Sequence, residues 1–224
     1  MTASDSSLAI EETRAFFENA AEFYPLLSSI FYLELTEEQI DGLAESGFAF
    51  PDDGSAMGDA CARLRRYLAR RGATARQDLA VDYARIFLAA GVYEGETAVP
   101  YESVYTSPEG IMMQDSRDEV VRVYRRNGLV IPLDLQVPED HLAFELEFMA
   151  HLSKRIEAAL ATGEDARSLM EEQRQFIDEH LLNWVPALQK RVESFAKLPF
   201  YPAMVALTLC YVRENRAVLE EALS

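Results

Sequence analysis

Apolar residues recur at three- and four-residue steps through almost the whole of this 224-residue chain, and that spacing commits it to helices. Phe16, Phe17, Ala20, Phe23, Tyr24, Leu27, Ile30 and Phe31 define one dry face of a first helix. Thr36-Glu37-Glu38-Gln39 has capping-box spacing, and Gly47 sits where a short second helix would stop. Pro51-Asp52-Asp53-Gly54-Ser55 is a turn cluster. A third helix is expected from Ala56 to Arg71, ending near Gly72. Thr74 is the expected cap of a fourth, with Leu79, Tyr83, Ile86 and Phe87 on its dry face.

The period then breaks. Residues 90–114 hold three glycines and two prolines and read as a long loop, a feature that in compact domains is often functional. A helix is expected over Asp115–Asn127, with Val120, Val123 and Tyr124 inward and Gly128 as its stop. Residues 129–137 form a short connector in which Leu133, Leu135 and Val137 alternate, the pattern of an extended strand over the core. A long helix is expected from Pro138 to about Ala161, stopped by Thr162-Gly163, with Leu142, Leu146, Met149, Leu152 and Ile156 inward. Further helices are expected over Asp165–Trp184, over Pro186–Ala196, and from near Pro202 with Val205, Leu209, Val212 and Leu219 inward. There is no internal repeat. The expectation is an all-α fold: residues 1–224 as a single bundle-like domain of about eight to ten helices.

Charge narrows the classes of partner. There are 38 acidic and 21 basic residues, a formal net charge of −17. Such a surface repels nucleic-acid phosphates and anionic lipid headgroups and attracts basic peptides, the more so at low salt. Between Asp134 and Trp184 twelve acidic residues face four basic ones. Six arginines fall between Cys61 and Arg76, flanked by Asp59 and Asp78, making one basic helix in an acidic chain. Cys61 and Cys210 fit no metal or redox spacing and suit a reducing cytoplasm. The N-terminal stretch has no basic segment followed by an apolar one, so no secretory signal is expected. Ala15–Leu35 is broken by Glu18, Glu22 and Glu34, so membrane insertion is not expected either.

Catalytic motifs are sparse. His141 and Glu145 share a helix face, as do Glu147 and His151, and either pair offers two metal ligands. A di-iron bundle wants Glu-x-x-His on two helices, but position 148 is Phe and His180 directly follows Glu179. No Gly-x-Ser-x-Gly elbow and no phosphate loop occur, and the chain has only three lysines. Hydrolytic or transfer chemistry and metal binding are therefore the weaker readings of the residues, and no cofactor is expected. The alternative is a helical metal-binding protein or enzyme that uses the His141–His151 face.

Two segments remain. Pro138-Glu139-Asp140-His141 has a plain reading as a helix start, proline first and carboxylates at the positive end of the dipole. His141 fits that reading badly as an imidazolium, unless it stays neutral and bonds to a neighbouring segment. Pro100-Tyr101-Glu102-Ser103-Val104-Tyr105 either pins a loop to the bundle or forms a cleft wall. In the second case the rings of Tyr101 and Tyr105 and the Glu102 carboxylate would receive an arginine-bearing peptide. Trp184, the only tryptophan, is expected in the core or at a helix end.

At these residues the chain resembles the TorD/DmsD/NarJ family of molybdoenzyme maturation chaperones. The matching segments are Asp82-Tyr83-Ala84-Arg85-Ile86-Phe87-Leu88, Pro100 to Tyr105, Val120 to Gly128, and Pro138-Glu139-Asp140-His141 followed by Glu145 to Met149. The resemblance runs from about Phe16 to Tyr211 and implies a TorD-like, all-α, cytoplasmic, non-enzymatic protein. Its implied partners are the catalytic subunit of a molybdopterin oxidoreductase and that subunit's twin-arginine leader, held until the cofactor is inserted. The resemblance carries peptide-binding residues over to Pro100, Tyr101, Pro138, Asp140 and His141, with Leu88 and aromatic residues of the first helix; the cleft-wall reading adds Glu102, Ser103 and Tyr105, and carboxylates near Asp140 and Glu102 are expected to meet the arginines. Segment exchange between long-looped helical bundles makes a homodimer compatible with this picture.

Overall fold

The computed structural model describes residues 3–48, 53–90, 98–132 and 135–224. They form ten α-helices: α1 (Ala3–Tyr32), α2 (Glu37–Ser46), α3 (Ala56–Ala69), α4 (Ala75–Phe87), α5 (Ser103–Thr106), α6 (Asp115–Arg126), α7 (Leu142–Thr162), α8 (Arg167–Phe176), α9 (Val185–Phe195) and α10 (Phe200–Leu223). A π-helical turn, Ile177–Leu181, joins α8 to the segment before α9. No β-strand occurs among the described residues; the sole extended pairing there is an isolated antiparallel bridge between Tyr101 and His141. The fold is all-α, as the periodicity requires.

The longest packing runs between α1 and α7, whose dry stripes are the ones the spacing marked. Phe17, Ala20, Tyr24, Leu27, Ile30 and Phe31 are fully buried on α1, and Leu142, Leu146, Met149, Leu152 and Ile156 on α7. Pro25 lies inside α1, where it removes one intrahelical donor. Tyr24 beside it donates its hydroxyl to Asn215 Oδ1 of α10 at 2.8 Å, fixing the helix from within the core. Burial holds the Tyr24 phenol well above its usual pKa.

The last helix is more central than its spacing indicates. Every residue from Phe200 to Leu209 is buried, so its first half is enclosed on all sides rather than along one stripe. It begins at Phe200, ahead of Pro202, which falls in the first turn where the missing N–H costs nothing. Asp82 of α4 anchors this end: Oδ1 accepts from Lys197 N at 2.9 Å and Oδ2 from Leu198 N at 3.1 Å, while Arg85 pairs with Oδ1 at 2.8 Å. The carboxylate is 1% exposed.

Several helix ends follow the expected chemistry. Thr36 and Gln39 make both bonds of the capping box, and Gly47 closes α2 at φ +68°, a conformation that glycine adopts without strain. Gly163 ends α7 in the same way. Thr74 does not cap α4 through its side chain; its hydroxyl donates to Asp78 Oδ2 instead. The largest correction concerns α7, which starts at Leu142 rather than Pro138, with His141 as its N-cap. Pro138–Asp140 form a turn before the helix, because their backbone is committed elsewhere, as described below. In the connector, Gln136 takes φ +51°, which breaks the expected extended run; Leu133 lies outside the described residues, as do Pro51 and Asp52 of the turn cluster.

Replacing Asp82 with alanine strands two backbone donors and one guanidinium. The expected loss is about 2–3 kcal/mol, read as a lower midpoint in urea unfolding at unchanged slope.

Candidate functional site

The two segments singled out in the sequence meet in space. Glu102 N donates to Asp140 O at 3.0 Å and Leu142 N donates to Pro100 O at 2.9 Å. This two-rung pairing explains the late start of α7: the carbonyls and amides around Asp140 bond to Pro100–Glu102 instead of closing a helical turn. Asp140 reinforces it. Its Oδ2 accepts from both the amide of Ser103, at 2.9 Å, and the Ser103 hydroxyl, while Gln114 N donates to that same hydroxyl at 3.3 Å. Arg117 of α6 grips Glu139 through Nε and Nη2 at 2.7 and 2.9 Å, and the Tyr124 hydroxyl reaches Glu139 O at 3.4 Å.

His141 serves as cap and as ring. Its Nδ1 accepts from Ala143 N at 3.1 Å, so the proton sits on Nε2 and the imidazole is neutral. Burial pushes its pKa down to about 4. The partner segment supplies Tyr101, whose ring meets the imidazole edge-on at 4.9 Å. Tyr32, from the end of α1, meets His141 at 6.4 Å and Phe144 at 5.7 Å. Tyr83 of α4 donates to Phe31 O at 2.9 Å, tying the end of α4 to the end of α1. Leu33 and Leu88 follow those two ends and are exposed, at 63% and 60%. Ala89 adopts φ +53°, a strained conformation for alanine that turns the chain sharply after Leu88.

Behind the pairing lies a buried polar cluster. Glu102, 1% exposed, accepts from His180 Nδ1 at 3.0 Å and from Asn183 Nδ2 at 2.7 Å. Both donors come from the π-helical turn and its exit, His180 inside the turn and Asn183 just beyond it. Glu145 of α7 is fully buried beside Glu102 and accepts from Trp184 Nε1 at 3.2 Å; the same indole also donates to His180 O at 2.6 Å. Burial, with Glu102 and Asp140 nearby, holds the Glu145 carboxyl well above the usual range, which favours its protonated form. Burial also raises Asp140, opposed by its bonds from Ser103. Tyr105 packs on Trp184 at 5.2 Å and lies under the Arg191 guanidinium at 4.4 Å.

Asp140 and Glu102, near which carboxylates are expected to meet arginines, both point inward and are engaged within the fold. Pro100 is buried and Pro138 half-buried, each serving through its carbonyl, the latter accepting from His141 N at 3.2 Å. Ser103 bridges, and Tyr101 and Leu88 remain the accessible members. His180 and Asn183 were not singled out as site residues. The signal available was the four-residue step from His180 to Trp184, which puts two polar-tipped rings on one face. On the His141–His151 face, Nδ1 of His141 is occupied and Glu145 is enclosed, and no group of three metal-competent side chains occurs among the described residues.

A cleft of about 270 Å³ adjoins the Pro100–Ser107 segment and is walled by Glu109, Asp115, Glu119 and Glu179, all exposed, with Glu102, Thr106 and Ser107 in its lining. The loop between its walls displays Ile111, Met112 and Met113 to solvent, with Met113 at φ +67°. One braced segment thus carries Tyr101 of the aromatic surface and lines an acidic cleft.

The family model described as nitrate reductase delta subunit matches residues 51–190, which include every residue of the paired segments and of the buried cluster. The chain belongs to that family. Chaperone protein TorD of Vibrio cholerae serotype O1 (strain ATCC 39541 / Classical Ogawa 395 / O395) is 31% identical over 219 residues, covering 95% of this chain and 97% of the relative. Chaperone protein TorD of Vibrio atlanticus (strain LGP32) is 30% identical over 216 residues, covering 91% and 96%. That of Photobacterium profundum is 29% identical over 220 residues, covering 94% and 98%. These relatives are chaperones, so the nitrate reductase delta subunit family places this chain among non-enzymatic proteins.

The cluster makes stability pH-dependent with two opposite signs. His141 is protonated near 6.5 when unfolded and about 4 when folded, so its contribution is full above 6.5 and is lost as pH falls towards 4, by up to about 3 kcal/mol. His141→Asn keeps a capping oxygen and should remove that acid-side loss in urea titrations between pH 7 and pH 4. Glu145 behaves inversely: its raised pKa gives stability that is present below the ordinary glutamate range and lost as pH rises through the folded value. Glu145→Gln should flatten that decline and leave the protein no less stable than wild type at pH 8.

Proposed function

We propose that the protein is a cytoplasmic maturation chaperone that binds the twin-arginine leader and the apo form of a molybdopterin oxidoreductase until its cofactor is inserted. The observation that carries this reading is that one segment, Pro100–Ser107, both carries Tyr101 of an aromatic surface and lines an acidic cleft. A twin-arginine leader is basic at one end and apolar beyond it. The exposed carboxylates of Glu109, Asp115, Glu119 and Glu179 suit guanidinium groups, which carboxylates hold bidentately. Tyr32, Tyr101, Leu33 and Leu88 suit the apolar stretch. Asp140, Ser103, Glu102 and His141 act one layer below, holding Tyr101 and the cleft wall in place. TorD relatives along nearly the full length support the chaperone class, and the net charge of −17 supports a basic ligand. No described helix is long and apolar enough to cross a membrane.

Titration calorimetry with twin-arginine leaders from molybdoenzymes of the same organism, against Lys-Lys controls, tests the reading. Wild-type protein should bind one leader, more weakly as salt rises and more weakly again for the Lys-Lys form. Glu109→Gln combined with Glu119→Gln should weaken binding about tenfold and reduce its salt dependence. Leu88→Asp should weaken it without that change in salt response. Binding that ignores the Arg-to-Lys exchange and all three substitutions would sink the assignment of these surfaces.

A further inference from the structure

The leader reading uses acidic and apolar surfaces and leaves the one basic feature of the chain unexplained. Most of the six arginines between Cys61 and Arg76 lie on α3 or just after it. Arg71 pairs with Asp41 at 2.8 Å, and Arg65 donates to Phe48 O at 3.1 Å. Arg63, Arg66 and Arg70, together with Arg213 of α10, make no ion pair among the described residues. In a chain with 38 acidic residues that is a notable concentration of uncompensated positive charge. These side chains also line a concave surface. A hollow of about 420 Å³ holds Arg63, Arg66, Arg70 and Arg71 around Tyr67 and Pro199. A second, of about 530 Å³, shares Arg63 and Arg66 and continues to Arg213 past Ala206 and Leu209. Asp78 and Asp59 stand in the first and second hollow respectively.

We propose that this trough is a docking site for an acidic polypeptide segment of a partner protein, with carboxylates on the arginines and apolar side chains on the floor between them. Arg63 and Arg66 stand three apart on α3 and Arg70 follows as its C-cap, so the three form a row, and Arg63 to Ala69 alone span about 9 Å of helix axis. That is the repeat of an extended or helical chain, not of one compact anion. A small phosphate ligand wants converging, sequestered donors; here Arg66, Arg70 and Arg71 are exposed and no glycine-rich loop adjoins them. The overall charge opposes a nucleic acid. A second copy of this chain meeting this face across a two-fold axis would set the same arginine row against itself, like charge on like. The trough shares no residue with the acidic cleft or the aromatic surface, so it stands whether or not the leader binds there.

Fluorescence anisotropy with a labelled peptide of repeating Glu-Glu-Leu tests it, on the full chain. Wild type should bind, more weakly as salt rises, and Arg66→Glu with Arg70→Glu should weaken binding about tenfold or more. The Arg-to-Lys pair at the same positions should retain part of the affinity. Both side chains are exposed, so circular dichroism and leader affinity should stay as in wild type. Equal binding by wild type and the double glutamate variant, or no binding at all, overturns the proposal. Stoichiometric displacement of the peptide by inorganic tripolyphosphate overturns it in favour of a small-anion site. Self-association that the glutamate variant abolishes, with no peptide binding, overturns it in favour of a second copy.

Discussion

The pairing of Pro100–Glu102 with Asp140–Leu142 is the contact on which the rest of the candidate site depends. Two backbone bonds and the double acceptance by Asp140 from Ser103 join segments almost forty residues apart. The join fixes where α7 begins, since the amides and carbonyls that would extend the helix towards Pro138 are already engaged. It fixes the tautomer of His141, because a cap at that position must accept. It also sets Tyr101 against the His141 ring, which Tyr32 meets from the end of α1, and turns Glu102 inward. Each of these would relax if the clasp opened, and each is a local decision made by a distant segment.

Burying Glu102, Asp140 and Glu145 together would be unfavourable if all three were ionised, as like charges at short range in a medium of low dielectric repel strongly. The fold manages this by giving the groups different surroundings. Glu102 has two side-chain donors, Asp140 has an amide and a hydroxyl, and Glu145, its protonated form favoured, accepts from an indole N–H. Hydrogen bonds and protonation thus substitute for the cations that a carboxylate trio would otherwise need. The result is a rigid floor beneath two surfaces whose chemistry differs: acids in one, rings and leucines in the other.

Much of the architecture was legible because helices announce themselves locally. The dry stripes of α1 and α7, the Thr36 capping box and the stops at Gly47 and Gly163 follow from spacing and from the conformational freedom of glycine. What was not legible depended on partners far along the chain. Pro138-Glu139-Asp140 has every mark of a helix start, and nothing in those residues reveals that Pro100 and Glu102 compete for their backbone. Asp140 and Glu102 read as ligand groups because carboxylates near a loop usually face water; their burial rests on Ser103, His180 and Asn183, none adjacent in sequence to both. The central position of α10 was hidden for a related reason. A helix buried on all sides loses the periodic contrast by which an amphipathic face is recognised.

The π-helical turn at Ile177–Leu181 amounts to one residue more than an α-helix would use over the same rise. A deletion of a single residue there would let the turn close as ordinary α-helix over the same rise, leaving the segments on either side in place and shifting the residues of the turn itself by one position, about 100°. His180, inside the turn, could then no longer share the Glu102 carboxylate with Asn183. The chain therefore stores its inner polar cluster as a length, not only as a set of side chains. Relatives that keep His, Asn and Trp in order but differ by one residue in this stretch would carry the same letters and a different interior.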